Sequence, residues 1–146
     1  SCHLAQLQSI HWRDDELAVC CAPDHPLARL DRPLQAQDFE QVDWILREEG
    51  SGTREVFDHA IAKDLHDCKI RLTLGHNEAI LKVVAGGMGV SCISKLAIEP
   101  LKEKGELVML DTPFWTLTRP LYMLVHRQKY QGPGLKAFMR YCRESV

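Results

Sequence analysis

No stretch of this sequence is apolar for the ~20 residues that a helix needs to cross a bilayer, so these residues hold no helical membrane span. The sequence is also without a strong charge of one sign. Its net charge of −2 excludes the basic face of a free-standing nucleic-acid binder. It has no CxxC pair and no close cysteine–histidine cluster: Cys2, Cys20, Cys21, Cys68, Cys92 and Cys142 lie far apart. That spacing offers neither a structural metal site nor a disulfide framework, and the thiols read as the reduced cysteines of a cytoplasmic protein. His59 and His66 are seven residues apart with no third ligand near them in sequence, so no metal is expected. No nucleophile elbow, phosphate loop or HExxH pattern occurs. No catalytic residue is therefore assigned, no cofactor is expected and the chain does not read as an enzyme. The first residues, Ser1-Cys2-His3-Leu4, lack the charged start and long apolar stretch of a secretory signal, and they do not read as a natural start.

What is present is enough for a folded domain. At 146 residues the chain can bury a real core, and its 45% hydrophobic and 26% charged residues are the balance of a soluble globular protein. The apolar patterning then alternates between two periods. Strands are expected over 16–22, 42–47, 69–74, 89–93, 106–110 and 121–126, and helices over 34–39, 55–65, 78–85, 96–101 and 135–143. Within 69–74, Ile70, Leu72 and Leu74 alternate with Lys69, Arg71 and Thr73, the mark of a half-buried strand. Pro23-Asp24-His25-Pro26 forces an extended or turning path after the first strand. Asn77 stands where an N-cap belongs, and Gly86-Gly87 where a helix ends. Adjacent Cys20 and Cys21 point to opposite faces of their strand. Strand–helix alternation of this kind predicts an α/β fold with a largely parallel sheet.

The most informative stretch is Gly50-Ser51-Gly52-Thr53-Arg54-Glu55, between an expected strand and an expected helix. A turn of this composition leaves backbone N–H groups unpaired at the positive end of the helix dipole, where an anion is stabilised. Ser51 and Thr53 add hydroxyl donors, and the glycines allow close approach. The same residues read equally as a helix start capped by Thr53 or Ser51, with no ligand. Arg54 is a fork of donors suited to an anion, or a surface residue paired with a nearby acid. His76 and Asn77, after the next strand, open the next helix at the same sheet edge, where open α/β sheets bind ligands. Glu48 and Glu49 are adjacent and diverge in an extended chain, so they are no catalytic pair. Trp44, Phe114 and Trp115 read as core, with the last two also suited to an interface.

Four motifs in order carry a family resemblance: Asp24-His25-Pro26-Leu27-Ala28; Trp44-Ile45-Leu46-Arg47-Glu48-Glu49 running into Gly50–Arg54; Asn77-Glu78-Ala79-Ile80; and Val84-Ala85-Gly86-Gly87-Met88-Gly89-Val90-Ser91-Cys92-Ile93-Ser94. Together they resemble the effector-binding (substrate-binding) domain of LysR-type transcriptional regulators, over essentially the whole chain. The resemblance implies a periplasmic-binding-protein-like (type II) α/β fold of two subdomains joined by crossover strands. Residues 1–21 and 119–146 would form part of the first subdomain, incomplete at its N-terminus, and 22–118 the second. It implies a small-molecule effector in the cleft between them, contacted by Ser51, Gly52 and Thr53, with His76-Asn77 and the strand ending at Ser94 as further lining. It also implies a homo-oligomer, dimer or tetramer, that contacts DNA only through a winged helix-turn-helix absent from this sequence. The donor-rich turn favours an organic or inorganic anion. A chain that lacks part of its first subdomain is expected to leave a sheet edge to be completed by upstream residues or a neighbouring chain. A periplasmic-type solute-binding protein or an enzyme on the same fold is the alternative class. An upstream signal peptide would mark the carrier, and an upstream helix-turn-helix the regulator.

Overall fold

Alternate apolar residues make Leu17, Val19 and Cys21 face one way and Ala18 and Cys20 the other, and both sets are buried. A segment apolar on both faces belongs in the middle of a sheet. The computed structural model, which describes residues 7–126 and Arg140, places it there: β1 (Leu7–Cys21) pairs antiparallel with β4 (Ser91–Ser94) on one side and β5 (Val108–Leu110) on the other. The strand is longer than the expected 16–22, because the polar residues before Glu16 continue it. β6 (Thr118–His126) also pairs with β1. The expected helix over 135–143 lies outside the described residues apart from Arg140.

Two compact units divide the chain. Glu16–Thr118 is one, and the described residues 7–15 and 119–126 belong to the other. In the Glu16–Thr118 unit, β2 (Asp43–Arg47) and β3 (Lys69–Leu74) form a parallel ladder with Arg47 opposite Leu74. A parallel bridge between Trp44 and Val90 joins that ladder to β4. Ile45 N–H donates to the Val90 carbonyl at 2.8 Å and Val90 N–H to the Asp43 carbonyl at 2.9 Å. The spatial order is therefore β3-β2-β4-β1-β5, with only β1 running against the rest.

Three helices connect the strands: α1 (Gly52–Ala60), α2 (Asn77–Ala85) and α3 (Lys95–Glu103). Each differs from its expected bounds. α1 starts at Gly52 because Ser51 caps it, and it ends at Ala60, followed by a 3-10 turn at Ala62–Asp64. α2 is capped by His76 rather than Asn77, whose side chain is engaged elsewhere. α3 runs through Pro100 because the ring, near the C-terminal end, forfeits only one late hydrogen bond. The 34–39 segment is a 3-10 turn, Ala36–Phe39, and a second one, Pro26–Arg29, fills the proline-rich turn. There His25 Nδ1 accepts the Leu27 N–H at 3.0 Å.

The helices lie on opposite faces. Phe57 of α1 and Ile61 just after it pack with Val19, Cys21, Trp44 and Leu46. Ile80, Leu81 and Val84 of α2 and Ile98 of α3 pack with Cys20, Ile45 and Ile93. Trp115, Phe39, Trp44 and Phe57 run through the first core in a row, each within 6 Å of the next, and the exposed Phe114 packs on Trp115 at 4.7 Å. β3 lies at the sheet edge, which leaves Ile70 exposed where its alternation predicts burial.

Candidate functional site

The parallel strands β2, β3, β4 and β5 deliver their carboxyl ends to one edge of the Glu16–Thr118 unit. There the chain leaves β2 for α1 on one face, and leaves neighbouring β4 for α3 on the other. Adjacent strands whose following helices part to opposite faces leave a crevice between them, and open α/β sheets bind ligands at such a point. Ser51 stands on one side of this crevice and Ser94, the residue before α3, on the other.

The turn on the β2 side is built by local chemistry. Gly50 has φ +94°, a backbone state that residues with a Cβ adopt rarely, and this bends the chain off β2. Ser51 then caps α1: its Oγ accepts the Arg54 N–H at 3.0 Å and its carbonyl accepts the Glu55 N–H at 3.1 Å. The N–H groups of Gly52 and Thr53 remain, in the first turn where no helical carbonyl reaches them. Ser51 and Gly52 are half-buried and Thr53 is buried. The arrangement presents two N–H donors and neighbouring hydroxyls at the positive end of a helix dipole.

Arg54, read from sequence as a fork for an anion or as a residue paired with a nearby acid, is folded back against the protein and pairs with acids. Its side chain is 8% exposed; Nε donates to Asp58 Oδ1 at 3.1 Å, Nη1 to the Arg47 carbonyl at 3.0 Å, and Nη2 lies 3.9 Å from Glu49 Oε1. It clasps the turn to the end of β2. Arg47 does the same toward the next turn. Its Nε donates to Glu48 Oε1 at 2.9 Å and its Nη1 to Asn77 Oδ1 at 3.0 Å. His76 is exposed and makes no capping bond with its side chain.

At the β1–β5 end of the same edge lies a cavity of about 360 Å³, whose walls include Glu16, Lys95, Asp111, Thr112 and Trp115. Lys95 Nζ donates to Glu16 Oε2 at 2.7 Å across its mouth. Trp115 Nε1 donates to Asp64 Oδ2 at 2.7 Å, tying this wall to the turn after α1. The thiols on the strands behind the edge are quiet: burial is the first cause that pushes Cys20 and Cys21 up to about 12, and it raises Cys92 as well.

Residues 1–146 match the family model described as the LysR substrate binding domain. The chain belongs to that family. Its fold is the type II periplasmic-binding-protein-like fold of LysR effector-binding domains. Among the relatives of this LysR domain, the uncharacterised HTH-type transcriptional regulator YeiE of Escherichia coli (strain K12) is 39% identical over 97% of this chain and 47% of its own length. The RuBisCO operon transcriptional regulator of Acidithiobacillus ferrooxidans is 34% identical over 89% of this chain and 42% of its own. The chain thus spans less than half of these regulators. Among solved structures, the regulatory domain of CcmR from Synechocystis PCC6803, in complex with 2-PG, superposes with a TM-score of 0.75 at 29% identity, covering 96% of this chain and 67% of that one.

The LysR domain of this protein gathers Ser51, Gly52, Thr53, Asn77 and Ser94 at one edge, as their positions after strands predict. None of the seven sequence-assigned residues lines the 360 Å³ cavity. Sequence reasoning passed over the Lys95–Glu16 pair, the loop from Asp111 to Thr118 and the bridging Arg47. Arg47 and Lys95 each stand next to a residue that was singled out, Glu48 and Ser94. The loop gave a strand-breaking signal, Asp111-Thr112-Pro113, and two aromatic residues, Phe114 and Trp115, read as core or interface rather than as the wall of a cavity.

Proposed function

We propose that this chain is the effector-sensing part of a bacterial LysR-type transcriptional regulator, and that it takes a small anion at the carboxyl edge of the Glu16–Thr118 unit. The observation that carries the reading is the pair of unclaimed N–H groups on Gly52 and Thr53 beside the Ser51 hydroxyl, at the point where helices part to opposite faces. Ser51, Gly52 and Thr53 are the direct contacts; Asn77 and Ser94 flank them, His76 lies on the solvent side, and Arg54 acts by holding the turn. The CcmR regulatory domain, which shares 29% identity, is described with 2-PG bound and supports a small-molecule effector. In this reading 22–118 corresponds to the second subdomain of the family, and the flanking residues to part of the first. The complete regulator is a cytoplasmic homo-oligomer without catalytic activity. It contacts DNA through an N-terminal winged helix-turn-helix, and effector binding alters that contact.

A thermal-shift panel of inorganic oxyanions and small organic acids tests the reading, because a ligand that binds only the native state raises stability, by about 2.7 kcal/mol at a hundred times its Kd. Thr53→Val keeps the shape and removes the hydroxyl. It weakens the binding of a stabilising anion by about 1.5 kcal/mol, roughly tenfold, as read by calorimetry. Unchanged affinity in Thr53→Val removes that residue from the contacts. A panel that stabilises nothing rejects the anion.

A further inference from the structure

We infer that Arg47 is the positioning residue of this site: it neutralises Glu48 and fixes Asn77, so that the first turn of α2 presents an amide donor to the edge, while Glu49 is turned to solvent with its side chain 88% exposed. This rests on the reading of the Ser51–Thr53 turn as the anion contact. Glu48 directly follows β2, three residues before Ser51, and a free carboxylate there would repel an anion. Arg47 holds one of its oxygens: Oε1 accepts from Arg47 Nε at 2.9 Å, while the side chain stays 45% exposed. Oε2 lies near Gly75, where an added Cβ would come within 3.1 Å of it.

The same guanidinium reaches thirty residues along the chain to Asn77 Oδ1 at 3.0 Å. Since Arg47 offers only N–H donors, Asn77 must turn its carbonyl oxygen toward it, and its NH2 then points elsewhere as a donor. This explains why Asn77, placed by type at a cap, leaves the capping position to His76. The Arg47 carbonyl completes the tie by accepting from Arg54 Nη1 at 3.0 Å. One residue, with its side chain 22% exposed, therefore connects the end of β2, the cap of α1 and the first turn of α2. Lysine cannot replace it, because a single ammonium point lacks the geometry to serve Glu48 and Asn77 through separate nitrogens.

The test uses the full chain, isotopically labelled, with inorganic sulfate as the probe. Amide hydrogen exchange is measured over 50–54 and 76–80 without sulfate, and sulfate affinity is then measured by NMR titration, in wild type, Arg47→Gln, Glu48→Gln and the double variant. In Arg47→Gln, exchange over both turns is expected to rise about tenfold, and sulfate to bind about tenfold more weakly. The double variant, which removes the stranded carboxylate, is expected to recover most of the affinity while the Asn77 turn stays loosened. Exchange at both turns unchanged in Arg47→Gln overturns the inference, whatever sulfate does. Loss of affinity with no recovery in the double variant overturns the charge-neutralising role. If wild type fails to bind sulfate while exchange responds as stated, the anion reading fails and the positioning role stands.

Discussion

Gly89 shows how little room a single residue has in this fold. It lies in the approach to β4, and a Cβ built on it would come 2.4 Å from the Asp43 carbonyl oxygen. The neighbouring Val90 N–H donates to that same carbonyl, so the contact is with the seam where the two ladders join and cannot relax by a side-chain rotation. Gly89→Ala must push β2 and β4 apart. Denaturant unfolding should show a loss of about 2 kcal/mol, within the usual range for overpacked sites, against little change for Gly86→Ala, where φ is −74° and an added Cβ meets nothing closer than 3.4 Å. Sequence alone gave Gly89 no such role: it read as the first residue of the strand expected over 89–93. Gly86 and Gly87 behave as their type predicts, with Gly87 N–H donating to the Val84 carbonyl and Met88 N–H to that of Val83.

Among elements, legibility followed periodicity. The strands and the three helices were all visible as runs, because burial on one face imposes a pattern that residue type records. Their ends were not. Whether α1 starts at Gly52 or Glu55 depends on which side chain reaches a backbone N–H, and Ser51 does so. Whether Asn77 caps α2 depends on Arg47, thirty residues earlier. Ile70 misled for another reason: alternation reports that a strand has an inner side, and cannot report that β3 is an edge. The site was legible as a glycine turn after a strand; the cavity walled by Asp111 and Thr112 was not, since a loop that gathers polar residues has no period.

The 3-10 turn at Ala36–Phe39 carries a pH prediction of its own. Arg32 meets Asp38 through two nitrogens, at 2.9 and 2.6 Å, and the Gln35 N–H donates to the same carboxylate at 2.8 Å. The Arg32 hydrogen bond, then the backbone bond from Gln35, hold the Asp38 pKa down to about 2 from an ordinary 3.8. A depressed carboxylate stabilises the fold above its unfolded pKa, and that contribution disappears as pH falls from about 4 through 2. Asp38→Asn should therefore flatten this part of the acid unfolding curve followed by circular dichroism, with little change in its shape above pH 5. A wild-type slope retained in the variant would assign the transition to other carboxylates.

For the whole molecule, the two buried clusters decide what can stand alone. Among the described residues, every member of both lies between Leu17 and Leu117, inside the Glu16–Thr118 unit. That unit also contains β2, β3, β4, β5, the β1 residues that pair with β4 and β5, and α1, α2 and α3. A fragment of residues 16–118 is expected to unfold in one cooperative transition by calorimetry, with its melting temperature raised by any anion that also stabilises the full chain. A broad, non-cooperative melt would show that the unit depends on the flanking strands.

The reversed middle strand has a consequence during synthesis. Its inner residues, Val19, Cys20 and Cys21, leave the ribosome before β2 to β5, yet their partners on the two sides, Ser91 and Cys92 of β4 and Val108 to Leu110 of β5, follow only about seventy to ninety residues later. Until then a strand apolar on both faces waits unpaired while β2, β3 and their helices are made. Pairings this distant in sequence slow folding and leave such a strand open to the wrong neighbour. A strand buried on both faces in the finished unit is thus the one of these five that nascent-chain chaperones would hold longest.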